Sequence, residues 1–280
     1  MGDTAENSFC FPADMVYSFS MSLPLFIKDT PPKLFRQEIF TVRSYACDEQ
    51  MRLTLPGLIN MLQEIAGLHA TSISVGVLDL QKENLTWMLS RMRIHLLTLL
   101  PAWGEQLVVT TWPSGVKGRL SAVRDFIVET PAGTVVAEGI SEWLMIDLIS
   151  HRIARLPPSV LELVTEGTPR VSIDEPSFPE NTALSGTIEH TVRRSDMDLN
   201  RHVNNVHYTE WALESVSDEF LATHTPEMID ITFKNSAVFG NRVLSETFTA
   251  ADHPGLLRHD VCNAADRSLF AKAFSHWRPL

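Results

Sequence analysis

One short segment of the chain concentrates residues that could carry out acid–base chemistry. It covers residues 196–208, with the sequence DMDLNRHVNNVHY, and it places Asp198, Asn200 and His202 at alternate positions. Such side chains can accept a proton, orient a water molecule or polarise a carbonyl group. The following residues read as a buried helix, whose N-terminus would offer unpaired N–H groups to a developing oxyanion.

The same residues also have purely structural interpretations. Asp198 or Asn200 could be the N-cap of the helix, and His202 could be a hydrogen-bonded loop histidine. His202 and His207 are five residues apart, a spacing that fits no common zinc site, so we predict no metal. The sequence has no P-loop, GxGxxG, GxSxG or HExxH motif, and we predict no cofactor.

An internal repeat helps to choose between these interpretations. Three pairs of similar segments occur in the same order: residues 42–48 with 192–198, 103–108 with 239–244, and 137–143 with 271–277. Asp198 is matched by Asp48, whereas Gln50 and Arg52 stand where the second copy has Asn200 and His202. A residue needed only for folding should be similar in both copies, so the one-copy Asn and His favour function.

Each copy reads as a helix followed by strands. In the first copy, residues 58–69 show helical spacing of apolar positions, and Pro56 suits the first turn. The second-copy helix is apolar on more than one side, which predicts burial on more than one side. Residues 88–96 alternate, and residues 107–112 are β-branched and aromatic, as expected of strands. One helix and four or five antiparallel strands, present twice, predict an α+β fold with each helix wrapped by sheet.

This pattern divides the chain into four parts. We expect an N-terminal extension over residues 1–35, a first unit over 36–156, a Pro-rich linker over 157–186 and a second unit over 187–280, which carries the polar segment. Two hydrogen-bonded sheets could pair edge to edge within one chain or in a homodimer.

Composition restricts the partners and the compartment. Of the charged residues, 23 are Lys or Arg and 34 are Asp or Glu, so the net charge is -11 and we expect no nucleic-acid ligand. No apolar run is long enough for a membrane span, and the acidic first residues fit neither a secretory signal nor a transit peptide. Three widely spaced cysteines suit a reducing compartment. We therefore expect a cytoplasmic protein.

The polar segment resembles the active-site signature of plant and bacterial acyl-acyl carrier protein thioesterases. The resemblance rests on Asp198-x-Asn200-x-His202-Val203-Asn204-Asn205-x-x-Tyr208 with Trp211, and covers roughly residues 36–278. The first copy adds further similar residues: Thr86-Trp87, Pro101-x-Trp103, Thr111-Trp112-Pro113, Arg124-Asp125-Phe126 and Ser141-x-Trp143. It implies two tandem hotdog units, hydrolysis of fatty acyl thioesters of acyl carrier protein, and catalytic roles for Asp198, Asn200 and His202.

The sequence departs from the family pattern at one place. In a stretch similar to residues 233–237, the family usually has a Glu, and Ser236 stands there, followed by Ala237 in place of a disputed Cys. Either Asp198 and His202 act without that carboxylate, or the local alignment is shifted by a residue or two.

We expect the acyl chain to enter an apolar tunnel and the acidic carrier to meet a local basic patch. The candidate lining comes from the first-copy helix and the strand after it: Leu58, Met61, Leu62, Ile65, Met88 and Met92, each of which could equally be plain core. The candidate patch is Arg193, Arg194 and Arg201, with Lys117 and Arg119 as a second choice. Alternatives are an acyl-CoA thioesterase, a non-catalytic acyl-thioester sensor and a hotdog dehydratase. The sequence predicts no preferred length of the acyl chain, because one methylene group changes the binding free energy by only about 1–3 kcal/mol.

Overall fold

The computed structural model describes residues 34–164, 168, 170–175, 177–179, 181–198 and 201–280. Most of the predicted N-terminal extension and the predicted catalytic residue Asn200 therefore lie outside the described residues.

Two helices dominate the helical part of the described chain. Helix α1 covers Leu55–Ser72, begins with Pro56 in its first turn, and is capped by Thr54, whose hydroxyl accepts the N–H of Gly57 at 3.1 Å. The shorter helices are α2 (Val77–Gln81), α3 (Pro158–Leu161) and α5 (Asp218–Leu221). Helix α4, Asn205–Glu214, is buried at Val206, Tyr208, Thr209, Trp211 and Ala212, so it is covered on more than one side as its sequence predicts.

The described strands form one antiparallel sheet. The first half of the chain contributes β1 (Arg36–Thr41), β2 (Leu85–Leu96), β3 (Gln106–Lys117), β4 (Ser121–Glu129), β5 (Val135–Asp147) and β6 (Arg152–Ala154). The second half contributes β7 (Ala183–Thr191), β8 (His224–Phe233), β9 (Arg242–Ala250), β10 (His253–Asn263) and β11 (Leu269–Pro279). The strand order is β1-β3-β4-β5-β2-β8-β11-β10-β9-β7, with β6 paired to β5.

The two halves meet at the centre of this sheet. Strands β2 and β8 pair antiparallel from Arg91 opposite Thr232 to His95 opposite Met228. Outward from this seam, both halves follow the same strand order, and α1 and α4 pack on the sheet and contact each other. The predicted α+β fold of two tandem hotdog units is confirmed, and the edge-to-edge pairing is made within one chain.

The repeated segments have the same geometry in both halves. The N–H of Gly104 donates to the carbonyl of Val42 at 3.0 Å, and that of Gly240 to Val192 at 3.1 Å; both glycines have a left-handed φ, 85° and 84°. The indole N–H of Trp143 donates to Ser141 Oγ at 2.8 Å, and a matching bond of 2.7 Å joins Trp277 to Ser275.

The boundaries between the units stay a prediction. The predicted linker, residues 157–186, contains α3 and the first residues of β7. In the described part of the chain, no helix combines the length and the hydropathy needed to cross a membrane.

Candidate active site

The polar segment forms a tight loop ahead of α4. The N–H of Asp198 donates to the carbonyl of His202 at 2.7 Å, and the N–H of His202 donates to Asp198 Oδ1 at 3.2 Å. Between them, Arg201 has a φ of 61° and its N–H donates to the carbonyl of Asp198 at 3.1 Å. The helix cap is Asn204, whose Oδ1 accepts the N–H of Val206 at 3.2 Å, so Asp198 is not the N-cap.

The first unit has the same loop with different chemistry. The N–H of Asp48 donates to the carbonyl of Arg52, and the N–H of Arg52 to Asp48 Oδ1, both at 2.9 Å; Met51 has a φ of 60°. The Arg52 side chain donates to the carbonyl of Leu100 at 3.0 Å, whereas His202 is exposed and lines a cavity. The aspartate thus shapes the loop in both units, and only the second unit adds an imidazole beside a cavity.

This cavity has a volume of about 680 Å³. The second half supplies Asp198, His202 and the polar residues Lys234, Asn235 and Ser236 to its wall. The first half supplies mostly apolar wall from α1, α2, β2, β4 and the residues around α3: Ala66, Gly67, Ala70, Val75, Val77, Leu78, Trp87, Leu89, Ala122, Val123, Val160 and Leu163. Small residues of α1 leave this room, since a Cβ added at Gly67 would meet no atom within 4 Å.

The predicted lining residues are divided by the structure. Met88 lines the cavity. The other five, Leu58, Met61, Leu62, Ile65 and Met92, are at most 8% exposed and belong to the main hydrophobic core. The four residues of α1 form its buried stripe, and Met92 lies on β2. The cavity lies against the neighbouring stripe of α1, which carries Gln63, Ala66 and Ala70.

Sequence reasoning missed two polar residues in this wall, Gln63 and Glu64 of α1. Gln63 Oε1 accepts a hydrogen bond from Asn205 Nδ2 at 3.4 Å, which joins α1 of the first unit to the first turn of α4. Asp198 and Glu64 are the carboxylates among the described residues that line the cavity. The sequence feature that could have indicated them is that Gln63 and Glu64 are adjacent polar residues within a mostly apolar helix.

A buried arginine also lines the cavity. Arg124 Nη1 donates to His69 Nδ1 at 2.9 Å and to Thr111 Oγ1 at 3.3 Å. Burial lowers the pKa of Arg124 to about 10, which leaves the guanidinium charged at neutral pH. The next residue, Asp125, accepts the N–H of Val171 at 2.7 Å, and burial raises the pKa of that carboxyl to about 6.

Tyr208 connects α4 to the loop after β8. Its Oη accepts the N–H of Ala237 at 2.8 Å, and burial raises the pKa of the phenol to about 12. Ala237 is fully buried, while Ser236 is exposed and lines the cavity, so the position discussed for a family Glu carries a hydroxyl.

The three predicted patch arginines are exposed beside the loop and are not among the cavity-lining residues. Arg193 is paired with Asp196, with Nη2 at 3.0 Å from Oδ1, and the guanidinium of Arg194 lies 4.3 Å from the centre of the Phe239 ring. Arg201 lies within the loop itself. Among the described residues, no group of three or more His, Cys, Asp or Glu side chains is placed to hold a metal ion.

The chain is similar to a known protein family along most of its length. Residues 32–164 match the acyl-ACP thioesterase N-terminal domain, and residues 180–279 match the acyl-ACP thioesterase C-terminal domain. A solved acyl-ACP thioesterase from Bacteroides thetaiotaomicron is 26% identical, with a TM-score of 0.76 over 87% of this chain and 98% of that one.

Curated plant relatives give the same match. The chloroplastic oleoyl-acyl carrier protein thioesterase of Coriandrum sativum is 30% identical over 80% of this chain and 65% of its own length. The chloroplastic oleoyl-acyl carrier protein thioesterase 1 of Arabidopsis thaliana is 29% identical over 81% of this chain and 67% of its own length. The chain therefore spans about two thirds of the length of these curated relatives.

Proposed function

Because the chain belongs to the acyl-ACP thioesterase family, we propose that it hydrolyses the thioester of fatty acyl-acyl carrier protein, which releases a free fatty acid and ends chain elongation. The observation that carries this proposal is that Asp198 and His202 line a cavity of about 680 Å³ whose first-unit wall is mostly apolar. A cavity of this kind suits an acyl chain whose carbonyl group stops beside the two polar side chains.

The chemistry needs few groups. Water adds to the thioester carbonyl carbon while His202 takes its proton as general base, or His202 orients the water while Asp198 takes the proton. The tetrahedral intermediate then expels the thiolate, which is a good leaving group because its thiol has a pKa of roughly 8.5 and which receives the proton back.

Asp198 and Asn200 complete the proposed site. Asp198 holds the His202 loop and orients or assists the imidazole, and Asn200, assigned from the sequence, holds the water or the carbonyl group. Direct attack of Asp198 on the carbonyl carbon, through an anhydride, is the alternative route.

The test uses purified protein and one acyl chain on two carriers. Wild-type protein should release free thiol and free fatty acid from the acyl carrier protein thioester, with a higher kcat/KM than from the matching acyl-CoA. A preference for acyl-CoA would support the acyl-CoA thioesterase instead. Tight acyl-thioester binding without thiol release would favour the sensor.

The carrier partner follows from charge. Acyl carrier proteins are acidic and this chain carries -11, so docking requires a local basic patch, for which we propose Arg193, Arg194 and Arg201. Since Arg193 is held by buried Asp196 and Arg201 lies within the loop of the proposed site, the cleaner test is Arg194→Glu. This variant should lose kcat/KM on the carrier substrate, most strongly at low salt, and keep it on a short uncharged thioester.

The control Arg155→Glu makes the same charge change at an exposed arginine of the first unit. Equal losses in both variants would place the carrier elsewhere.

The location and the assembly belong to the proposal as well. We propose a cytoplasmic protein, which cell fractionation would test; the plant relatives are named chloroplastic. Among the described strands, β1 and β7 end the sheet and would be the edges for a homodimer. Light scattering on purified protein measures the mass that decides this.

A further inference from the structure

One buried donor on the cavity wall has no hydrogen-bond partner in the described part of the chain. Gln63 lines the cavity together with Asp198 and His202, and its Nε2 is buried and unpaired among the described residues. An unpaired buried N–H lowers the stability of a fold, so such groups are rare and call for an explanation.

The orientation of this amide is set by its neighbour. Asn205 Nδ2 can only donate, so the acceptor end of Gln63, Oε1, faces it at 3.4 Å and the donor end is left over. Asn205 opens α4 directly after the loop that carries His202. The first unit therefore presents an amide donor next to the polar loop of the second unit.

We infer that Gln63 Nε2 is a donor to the thioester carbonyl oxygen, and that it stabilises this oxygen as it becomes an oxyanion. This inference rests on the proposed hydrolysis. When water adds to the carbonyl carbon, the C=O electron pair moves to oxygen, and the N–H of Gln63 donates to it without transferring its proton. When the C–S bond breaks, the pair returns and the sulfur leaves as thiolate. A donor that the fold holds in place stabilises such charge more than water does, because it needs no reorientation during the reaction.

The variant Gln63→Leu separates this role from a structural one. It should lower kcat on an acyl carrier protein thioester by about 100-fold, the usual cost of one oxyanion donor. KM should change little, because the donor acts mainly in the transition state. The thermal midpoint should change little, since the substitution removes an unpaired buried donor together with the long 3.4 Å bond from Asn205.

Two further variants sharpen the test. Gln63→Glu keeps the shape but replaces the donor by a carboxylate, and should lose at least as much activity. Gln50→Leu makes the same substitution at an exposed loop glutamine bonded to Glu49, and should keep wild-type kcat.

The activities of the Gln63 variants and of the wild-type protein distinguish failure of this inference from failure of the proposed function. Near wild-type kcat in Gln63→Leu or Gln63→Glu, with active wild-type protein, overturns this inference alone. A fall in the thermal midpoint together with kcat shows a structural role and also overturns it. Wild-type protein without thioester hydrolysis overturns the proposed function and this inference with it.

Discussion

The backbone N–H of His202 donates to Asp198 Oδ1 at 3.2 Å, and the N–H of Asp198 donates back to the carbonyl oxygen of His202 at 2.7 Å. This reciprocal pair uses the side chain of the aspartate but only the main chain of the histidine. Substitution of Asp198 therefore disturbs loop and chemistry together, whereas substitution of His202 can remove the imidazole and leave the loop intact.

We predict that His202→Ala folds normally and loses about 100-fold or more in kcat/KM, the usual contribution of a general base. Steady-state hydrolysis of an acyl carrier protein thioester measures the loss. The matched control is Arg52→Ala, the equivalent position of the first unit, where the lost side chain bonds the carbonyl of Leu100. That variant should lose stability and keep its turnover, and a well-folded His202→Ala protein with near wild-type turnover would remove this site from consideration.

Tyr208→Phe should destabilise the fold by about 1–3 kcal/mol, because it leaves the buried N–H of Ala237 without an acceptor. Urea unfolding monitored by fluorescence gives the free energy of unfolding. Tyr45→Phe is the control, since Tyr45 is 88% exposed and should tolerate the change. Equal stabilities of the two variants would show that the Tyr208 hydroxyl is not needed there.

His259 should make stability depend on pH. The imidazole is buried between Thr247 Oγ1 at 2.9 Å and Ser275 Oγ at 2.8 Å, and burial lowers its pKa from 6.5 to about 4. As the pH falls, His259 therefore becomes protonated near pH 6.5 in the unfolded chain but only near pH 4 in the folded chain. Its contribution to stability is therefore complete above pH 6.5 and is lost as the pH falls towards 4. His259→Gln should flatten the unfolding free energy over this window; an unchanged slope would contradict the prediction.

Asp125 should act in the opposite direction. Burial raises its pKa from 3.8 to about 6, so the folded chain holds a proton that the unfolded chain has released. Its contribution to stability is complete below pH 3.8 and is lost as the pH rises through 6. Asp125→Asn keeps an acceptor for the N–H of Val171 and should remove this loss, so that unfolding measured at pH 7 requires more urea than in the wild type. A variant that unfolds at lower urea at pH 7 would show that the ionised carboxylate stabilises the fold.

No cysteine should be needed for hydrolysis. Cys47 is half-buried with Sγ donating to the carbonyl of Arg43, and Cys262 is 2% exposed, with burial raising the pKa of its thiol. Neither lines the cavity, and Cys10 lies outside the described residues. A protein with all three changed to Ser should keep most of its activity, because a thiol nucleophile must be accessible and ionised. If one of these changes abolished turnover in a folded protein, that cysteine would be the nucleophile.

The sequence alone determined the duplicated architecture and the position of the polar loop. Gly104 and Gly240 recur with Val42 and Val192 because both copies make the same turn. The two Ser-x-Trp segments recur because both copies make the same hydrogen bond from the indole to the serine hydroxyl. Loop and helix signals are local, so they can be read from neighbouring residues without knowledge of the fold.

The tertiary structure decided which α1 face borders the cavity and which residues of the first unit meet the second. Leu58 and Ile65 look in sequence like possible tunnel wall, but apolar side chains have the same pattern whether they fill a core or border a void. Small residues such as Gly67 leave open space on the α1 face that borders the cavity. Gln63 and Asn205 are 142 residues apart, and only the β2–β8 seam and the packing of α1 on α4 bring them together.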